Sequence, residues 1–317
     1  MKKTLIPILS AALMLILAFA GCTDTPKSGF TTDKIVMTYV ASPLNVPSVI
    51  EKQRGDFSTA FQKLGLDFAY ADLDSGADQT TALASGDIQI LNAVGGSSVI
   101  LAAANGADIV ILSMYSVAPQ AFAMFSADAQ LNSPESLRGK TIAGPKGTNL
   151  HELLASYLAT ADMTEKDVNF VSMDIPSAAA ALENGSIDVA LLGGPAAYTC
   201  EKSGRHKITD GEGLISATIV TASTRKFAQE NPEVIETFLK TQNEIVSYMQ
   251  SDTDAALSLT AEALDLDPQA VKDMYAMYDF NTALTDEAIS GIQSTEAFLF
   301  NSGLIENHVD VSSIVLK

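Results

Sequence analysis

The chain has 317 residues, 47% of them hydrophobic and 18% charged, with a formal net charge of −19 at pH 7. That composition fits two packed domains or one large one and excludes a disordered chain. So acidic a protein cannot neutralise a run of phosphates or dock on anionic lipid through a basic patch, which excludes nucleic acid as a partner.

Lys2 and Lys3 precede an apolar run over 5–19, a signal-peptide core that is short for a membrane-spanning helix. Residues 1–21 are therefore expected to be a signal peptide. The run ends in Phe19-Ala20-Gly21-Cys22, which resembles a bacterial lipobox. That resemblance implies lipidation of Cys22, a tether over 22–33 and an exported protein held at the outer face of the cytoplasmic membrane, or in a periplasm. The alternative is a plain signal peptide with an incidental cysteine. Beyond Cys22 only Cys200 remains, so the mature chain forms no intrachain disulfide. One thiol with His151, His206 and His308 at unrelated spacings builds no zinc or iron–sulfur site, and no metal or cofactor is expected.

Residues 34–40 alternate apolar and polar and predict a first strand, and 42–47, with Asn45, form the loop at its C-terminal end. In open α/β sheets that is where ligands bind. A helix is expected from Asp56, carrying Phe57, Ala60, Phe61 and Leu64 and stopped by Gly65, with a strand over 66–70 after it. The chain then writes a pattern that it later repeats. The first copy is Ala82-Leu83-Ala84-Ser85-Gly86-Asp87-Ile88-Gln89-Ile90 with Gly95-Gly96-Ser97-Ser98. The second is Ala181-Leu182-Glu183-Asn184-Gly185-Ser186-Ile187-Asp188-Val189 with Gly193-Gly194-Pro195. Each reads as a helix, a glycine stop, a buried strand (88–91 and 187–192) and a glycine pair that opens the next helix. Two such units imply two similar lobes, each offering a helix N-terminus.

Between the copies, strands are expected over 109–114, 120–126, 140–143 and 168–173, and helices over 98–104, 150–161 and 177–183. Ser133-Pro134-Glu135 starts a short helix, and 214–222 is a β-branched return strand. Helices follow over 232–249, 254–264, 268–278 and 286–300. Alternating strands and helices at these spacings indicate an α/β protein.

The order of these parts resembles the substrate-binding proteins of ABC importers, in the taurine, aliphatic sulfonate and nitrate group. The residues that carry the likeness are Asp74-Ser75-Gly76-Ala77 with the first copy, and Leu137-Arg138-Gly139-Lys140 with Pro145-Lys146-Gly147-Thr148. The second copy, Phe227-Ala228, Asn231-Pro232-Glu233 and Phe238-Leu239 complete it. The resemblance implies a two-lobe periplasmic-binding-protein fold (type II) with two hinge strands and C-terminal helices. Lobe one would be 34–121 plus 222–317 and lobe two 122–221, with crossings near 122–126 and 216–222. It implies a binding protein rather than an enzyme, with a small-molecule ligand and a membrane permease with its cytoplasmic ATPase as partners.

An anion in such a cleft needs donors, and cations are few near these loops. Helix N-termini supply free amides and about half a positive charge each. Three converge in this reading: Gly96-Ser97-Ser98, Thr148-Asn149 after Gly147, and Gly193-Gly194-Pro195. Asn45, Ser116 and Thr218 complete the candidate set with side chains near the first strand's loop and the crossings. His151 either faces the ligand, as the resemblance implies, or is hydrogen-bonded within its own lobe. Where the taurine-type pattern has an aromatic residue before Pro195, this chain has two glycines, which leave room for a bulkier ligand. The ligand is thus a small anion such as a sulfonate, taurine or nitrate, or alternatively a thiamine pyrimidine precursor stacked on Tyr39, Tyr115 or Tyr198. An enzyme or a surface sensor on the same scaffold is the remaining alternative.

Overall fold

Two sheets with the same strand order organise the chain, which a computed structural model describes over residues 29–316 apart from Asp74. The signal-peptide and Cys22 expectations, and Asp74 of the family motif, lie outside the described residues. In the first sheet β1 (Lys34–Tyr39) runs parallel to β2 (Asp67–Asp72). β10 (Thr218–Ser223) lies between β3 (Leu91–Gly95) and β4 (Val110–Val117), antiparallel to both. The two groups join where Met37 bridges Ile90 and Thr38 N donates to Ile90 O at 3.1 Å. The resulting order is β2-β1-β3-β10-β4.

The second sheet runs β7 (Asn169–Ser172), β6 (Thr141–Gly144), β8 (Val189–Gly193), β5 (Phe122–Ser126) and β9 (His206–Asp210). Its first three strands are parallel and the β8–β5 and β5–β9 pairings antiparallel, as in the first sheet. The repeated sequence unit supplies the third strand of both sheets, β3 and β8. The helix of the first copy, α3 (Gly76–Ser85), ends on Gly86 at φ +84°; that of the second, α6 (Ile175–Glu183), is followed by Gly185 at φ +74°. Both glycines take the left-handed conformation the sequence requires of them.

Each sheet has its own core. Phe57 of α2 (Asp56–Lys63) is fully buried in a stack with Phe61 and with Phe238 of α9 (Pro232–Ser251), ring centroids 6.0 and 5.2 Å apart. Leu150, Leu153, Leu154 and Leu158 of α5 (Asn149–Ala159) pack on Val189 and Leu191 of the second sheet. Ile292 and Leu299 of α12 (Asp286–Asn301) pack against the first. The remaining C-terminal helices, α8 (Arg225–Glu230), α10 (Thr253–Leu264) and α11 (Pro268–Tyr275), come after β10, as expected.

The structure departs from the sequence reading in several places, among them the return strand expected over 214–222, which is β10 from Thr218 only. A helix, α1 (Val46–Arg54), begins at the end of the stretch read as loop (42–47) and fills the residues before the helix expected from Asp56; Pro47 in its first turn is compatible with a helix start because that position needs no N–H. β3 starts at Leu91 rather than Ile88, because Gln89 spends its side chain on Val36 N (2.8 Å) and Gly86 O (2.9 Å) while Ile90 bridges β1. β9 is an added edge strand with no fully buried residue, which leaves a weak hydrophobic signal. The chain passes between the sheets over 118–121 and 211–217, since β5 and β10 each lie wholly within one sheet.

Candidate functional site

Each parallel strand leads at its C-terminal end into a helix, and four of these helix starts carry the candidate residues: α1 after β1, α4 (Gly96–Ala104) after β3, α5 after β6 and α7 (Gly194–Lys202) after β8. Each presents first-turn amides without an intrahelical acceptor. Asn45 is the residue before α1; it is buried, and its Nδ2 donates to Ser42 O at 3.0 Å.

At the start of α4 the backbone comes against β10. A Cβ built on Gly96 would lie 2.7 Å from Thr218 Oγ1, so this close approach needs glycine. Thr218 is 0% exposed and its hydroxyl has no hydrogen-bond partner among the described residues. Ser116 on β4, beside Ile219 of β10, is likewise buried with an unpartnered hydroxyl. Ser97 is buried and Ser98 half-buried in the first turn of α4. Leaving a buried polar group unpaired costs about 1–3 kcal/mol, so the Thr218 hydroxyl at this helix start calls for an explanation.

At the start of α5, Thr148 makes no side-chain cap; its hydroxyl donates to Pro145 O at 2.8 Å. Asn149 is buried, with Oδ1 unpartnered. Lys146 is exposed, and Gly147 lies on Leu101 of α4. His151 Nδ1 accepts from Gly147 N at 3.1 Å, its Nε2 faces the Glu165 carboxylate, and its ring stacks on Phe170. Both ring nitrogens thus face groups of the protein, and hydrogen bonding to His151 holds the Glu165 carboxyl below the usual range.

At the start of α7 the glycine pair is filled rather than open. A Cβ on Gly194 would meet Pro43 O and Cβ at 2.5 Å, and one on Gly193 would meet the Phe122 ring at 3.3 Å. Pro43 belongs to the loop after β1, so the space expected for a bulky ligand is taken by the first sheet's own loop. Pro195 follows in the first turn of α7. Two further contacts join elements of the two sheets: Tyr198 of α7 donates to Asp273 of α11 at 3.0 Å, and Thr295 of α12 to Glu152 of α5 at 3.1 Å. The structure therefore brings Gly96 together with Thr218, and Gly194 with the loop that holds Asn45.

Two buried features escaped the sequence reading. Glu51 of α1 is 2% exposed, accepts from Asn92 Nδ2 at 2.8 Å, and has its carboxyl raised well above the usual range by burial. Glu152, 3% exposed, has its carboxyl pushed up to about 7 by burial, which outweighs the Thr295 hydrogen bond. A missed helix hid the first, and the second depends on a contact between residues 143 apart in sequence. Among the described residues no group of three or more His, Cys, Asp or Glu side chains is placed to hold a metal. Burial likewise raises the half-buried Cys200 thiol.

Known proteins resemble this one in sequence and in shape. A Bacillus subtilis (strain 168) protein described as a putative aliphatic sulfonates-binding protein is 28% identical over 99% of this chain and 95% of its own length. The taurine-binding periplasmic protein of Escherichia coli (strain K12) is 32% identical over 58% of each chain. The alkanesulfonate-binding protein SsuA from Xanthomonas axonopodis pv. citri, solved bound to MOPS, superposes with a TM-score of 0.80 at 22% identity. That match covers 90% of this chain and 98% of the other and identifies the periplasmic binding protein fold. A family model described as NMT1/THI5 like matches residues 52–256. With that span exceeding half its length, the chain belongs to the NMT1/THI5-like family.

Proposed function

We propose that this protein is the solute-binding component of an ABC importer, taking a small oxyanion such as a sulfonate between two lobes. The lobes in this reading are the two sheets with their helices, divided at 118–121 and 211–217. The observation that carries it is Thr218 Oγ1, fully buried, unpartnered and set against the first residue of α4. Ser97, Ser98 and the α4 amides lie in the first turn of the same helix and supply further donors without a cation. Fixed dipoles of this kind select an oxyanion by geometry. Thr148, Asn149 and the α7 start would approach from the opposing lobe, with His151 holding the 145–148 loop in shape. Ligand would favour the closed form through its greater affinity for it. The sulfonate-binding and taurine-binding proteins among the relatives support this ligand class. Lipidation at Cys22 would keep the receptor beside its permease.

A Thr218→Val variant tests the site. Removing an unpartnered buried hydroxyl should leave stability unchanged or raised, whereas losing a hydrogen bond to an anion should weaken binding by about 1–3 kcal/mol. Chemical denaturation without ligand and titration with ethanesulfonate read the two effects. Wild-type affinity in the variant would sink the assignment.

A further inference from the structure

The fold buries the Glu152 carboxylate between α5, packed on the second sheet, and α12, packed on the first. Its two oxygens lie 3.2 and 3.1 Å from Thr295 Oγ1, and that hydroxyl is also 3.3 Å from Gly291 O. Thr295, itself fully buried, has one proton and two acceptors to serve. With Glu152 neutral, its O–H donates to Thr295 Oγ1 and the Thr295 O–H donates to Gly291 O. With Glu152 ionised, Thr295 must turn to the carboxylate and give up Gly291. The neutral form therefore keeps Gly291 O satisfied and buries no charge, while the ionised form has only the charge-assisted Thr295 bond to set against its burial.

Charged neighbours do not offset that burial. On α12, Glu296 is turned away to His308 Nδ1 (3.0 Å) and Val309 N (2.9 Å). On α5, His151 is occupied by Gly147 and Glu165, and Lys146 in the loop before it is exposed and acts on Glu165. Among the described residues, burial raises the Glu152 carboxyl and the Thr295 hydrogen bond lowers it.

We propose that the Glu152–Thr295 contact is a proton-coupled latch: closing α5 onto α12 takes up a proton on Glu152, and so ties ligand capture to pH. It rests on the reading of the two sheets as lobes that open and close. The sign follows from the burial. Opening returns the carboxyl to water and to an ordinary carboxylate range, so the closed form holds the proton more tightly. Closure is then favoured as pH falls below about 7, the value the buried group takes, and the advantage is lost above it. Between pH 8 and pH 6 this amounts to an approximately tenfold gain in affinity.

The test uses the full chain with ethanesulfonate as probe, titrated at pH 6, 7 and 8, alongside small-angle scattering without ligand. Wild type should bind about tenfold more tightly at pH 6 than at pH 8, and its radius of gyration should fall over the same range. Glu152→Gln, which cannot ionise, should lose both dependences. Thr295→Val, which leaves the acid without a partner, should keep them and move them to higher pH. Flat wild-type profiles in both measurements, or an unchanged dependence in Glu152→Gln, would overturn the latch. Should Glu152→Gln not fold, a flat profile in Thr295→Val would overturn it equally. A pH-dependent radius with no ethanesulfonate binding would uphold the latch and count against the anion reading. Binding that ignores pH would do the reverse.

Discussion

A Gly194→Val variant is expected to lose ligand binding by about 100-fold or more while remaining folded. Gly194 stands at φ +58°, a conformation that a β-branched residue adopts only with strain. A Cβ there would lie 2.5 Å from the Pro43 carbonyl oxygen and 2.8 Å from its carbonyl carbon. These are backbone atoms of the loop after β1 and have no rotamer with which to move aside. The variant can relieve the clash only by holding the start of α7 away from that loop, which in the proposed mechanism is the open form. Apparent affinity falls with the fraction of molecules able to close, and a closing penalty of about 3 kcal/mol reduces it by roughly the stated factor. Gly185→Ala is the control. Gly185 is also left-handed, at φ +74°, but nothing lies within 4 Å of a Cβ there, so it should show backbone strain without a loss of affinity. Calorimetric titration of both variants separates the two effects, and near-wild-type binding by Gly194→Val would refute the closing contact.

Phe57→Ala is expected to cost about 3–5 kcal/mol of stability, the range for emptying a large aromatic site in a packed core. Phe57 is fully buried and its ring stacks with Phe61, Phe68 and Phe238, at 6.0, 6.4 and 5.2 Å between centroids. It ties α2 and β2 to the long helix α9, about 180 residues later in the chain. The loss should appear as a lower urea midpoint, and hydrogen exchange should quicken in α2 and α9 before α5 and β8. A loss below about 1 kcal/mol would mean that the stack is not the keystone of the first core.

The repeat made the architecture legible. Two copies of a helix, a left-handed glycine and a strand predicted two similar units, and β3 and β8 hold the same place in two sheets of matching order. Phe57, Phe61 and Phe238 announced their helices by spacing alone. What the sequence could not convey was which element fills which space. Gly193-Gly194 reads as room for a ligand, yet Pro43, about 150 residues earlier, supplies the atoms that occupy it. The same limit applies to Glu152, whose partner Thr295 lies on a distant helix, and to Thr218, whose missing partner is a property of the folded surroundings. The sequence leaves His151 between two readings because one ring nitrogen meets Gly147 N locally and the other meets Glu165 through tertiary packing.

Calorimetric titration of the purified full chain with methanesulfonate, ethanesulfonate, taurine and MOPS, beside a neutral aminopyrimidine, tests the binding reading most directly. Saturable one-to-one binding of at least one sulfonate, weakened by Thr218→Val and lost in Gly194→Val, is the predicted result. Binding of the aminopyrimidine with no heat from any sulfonate would contradict it.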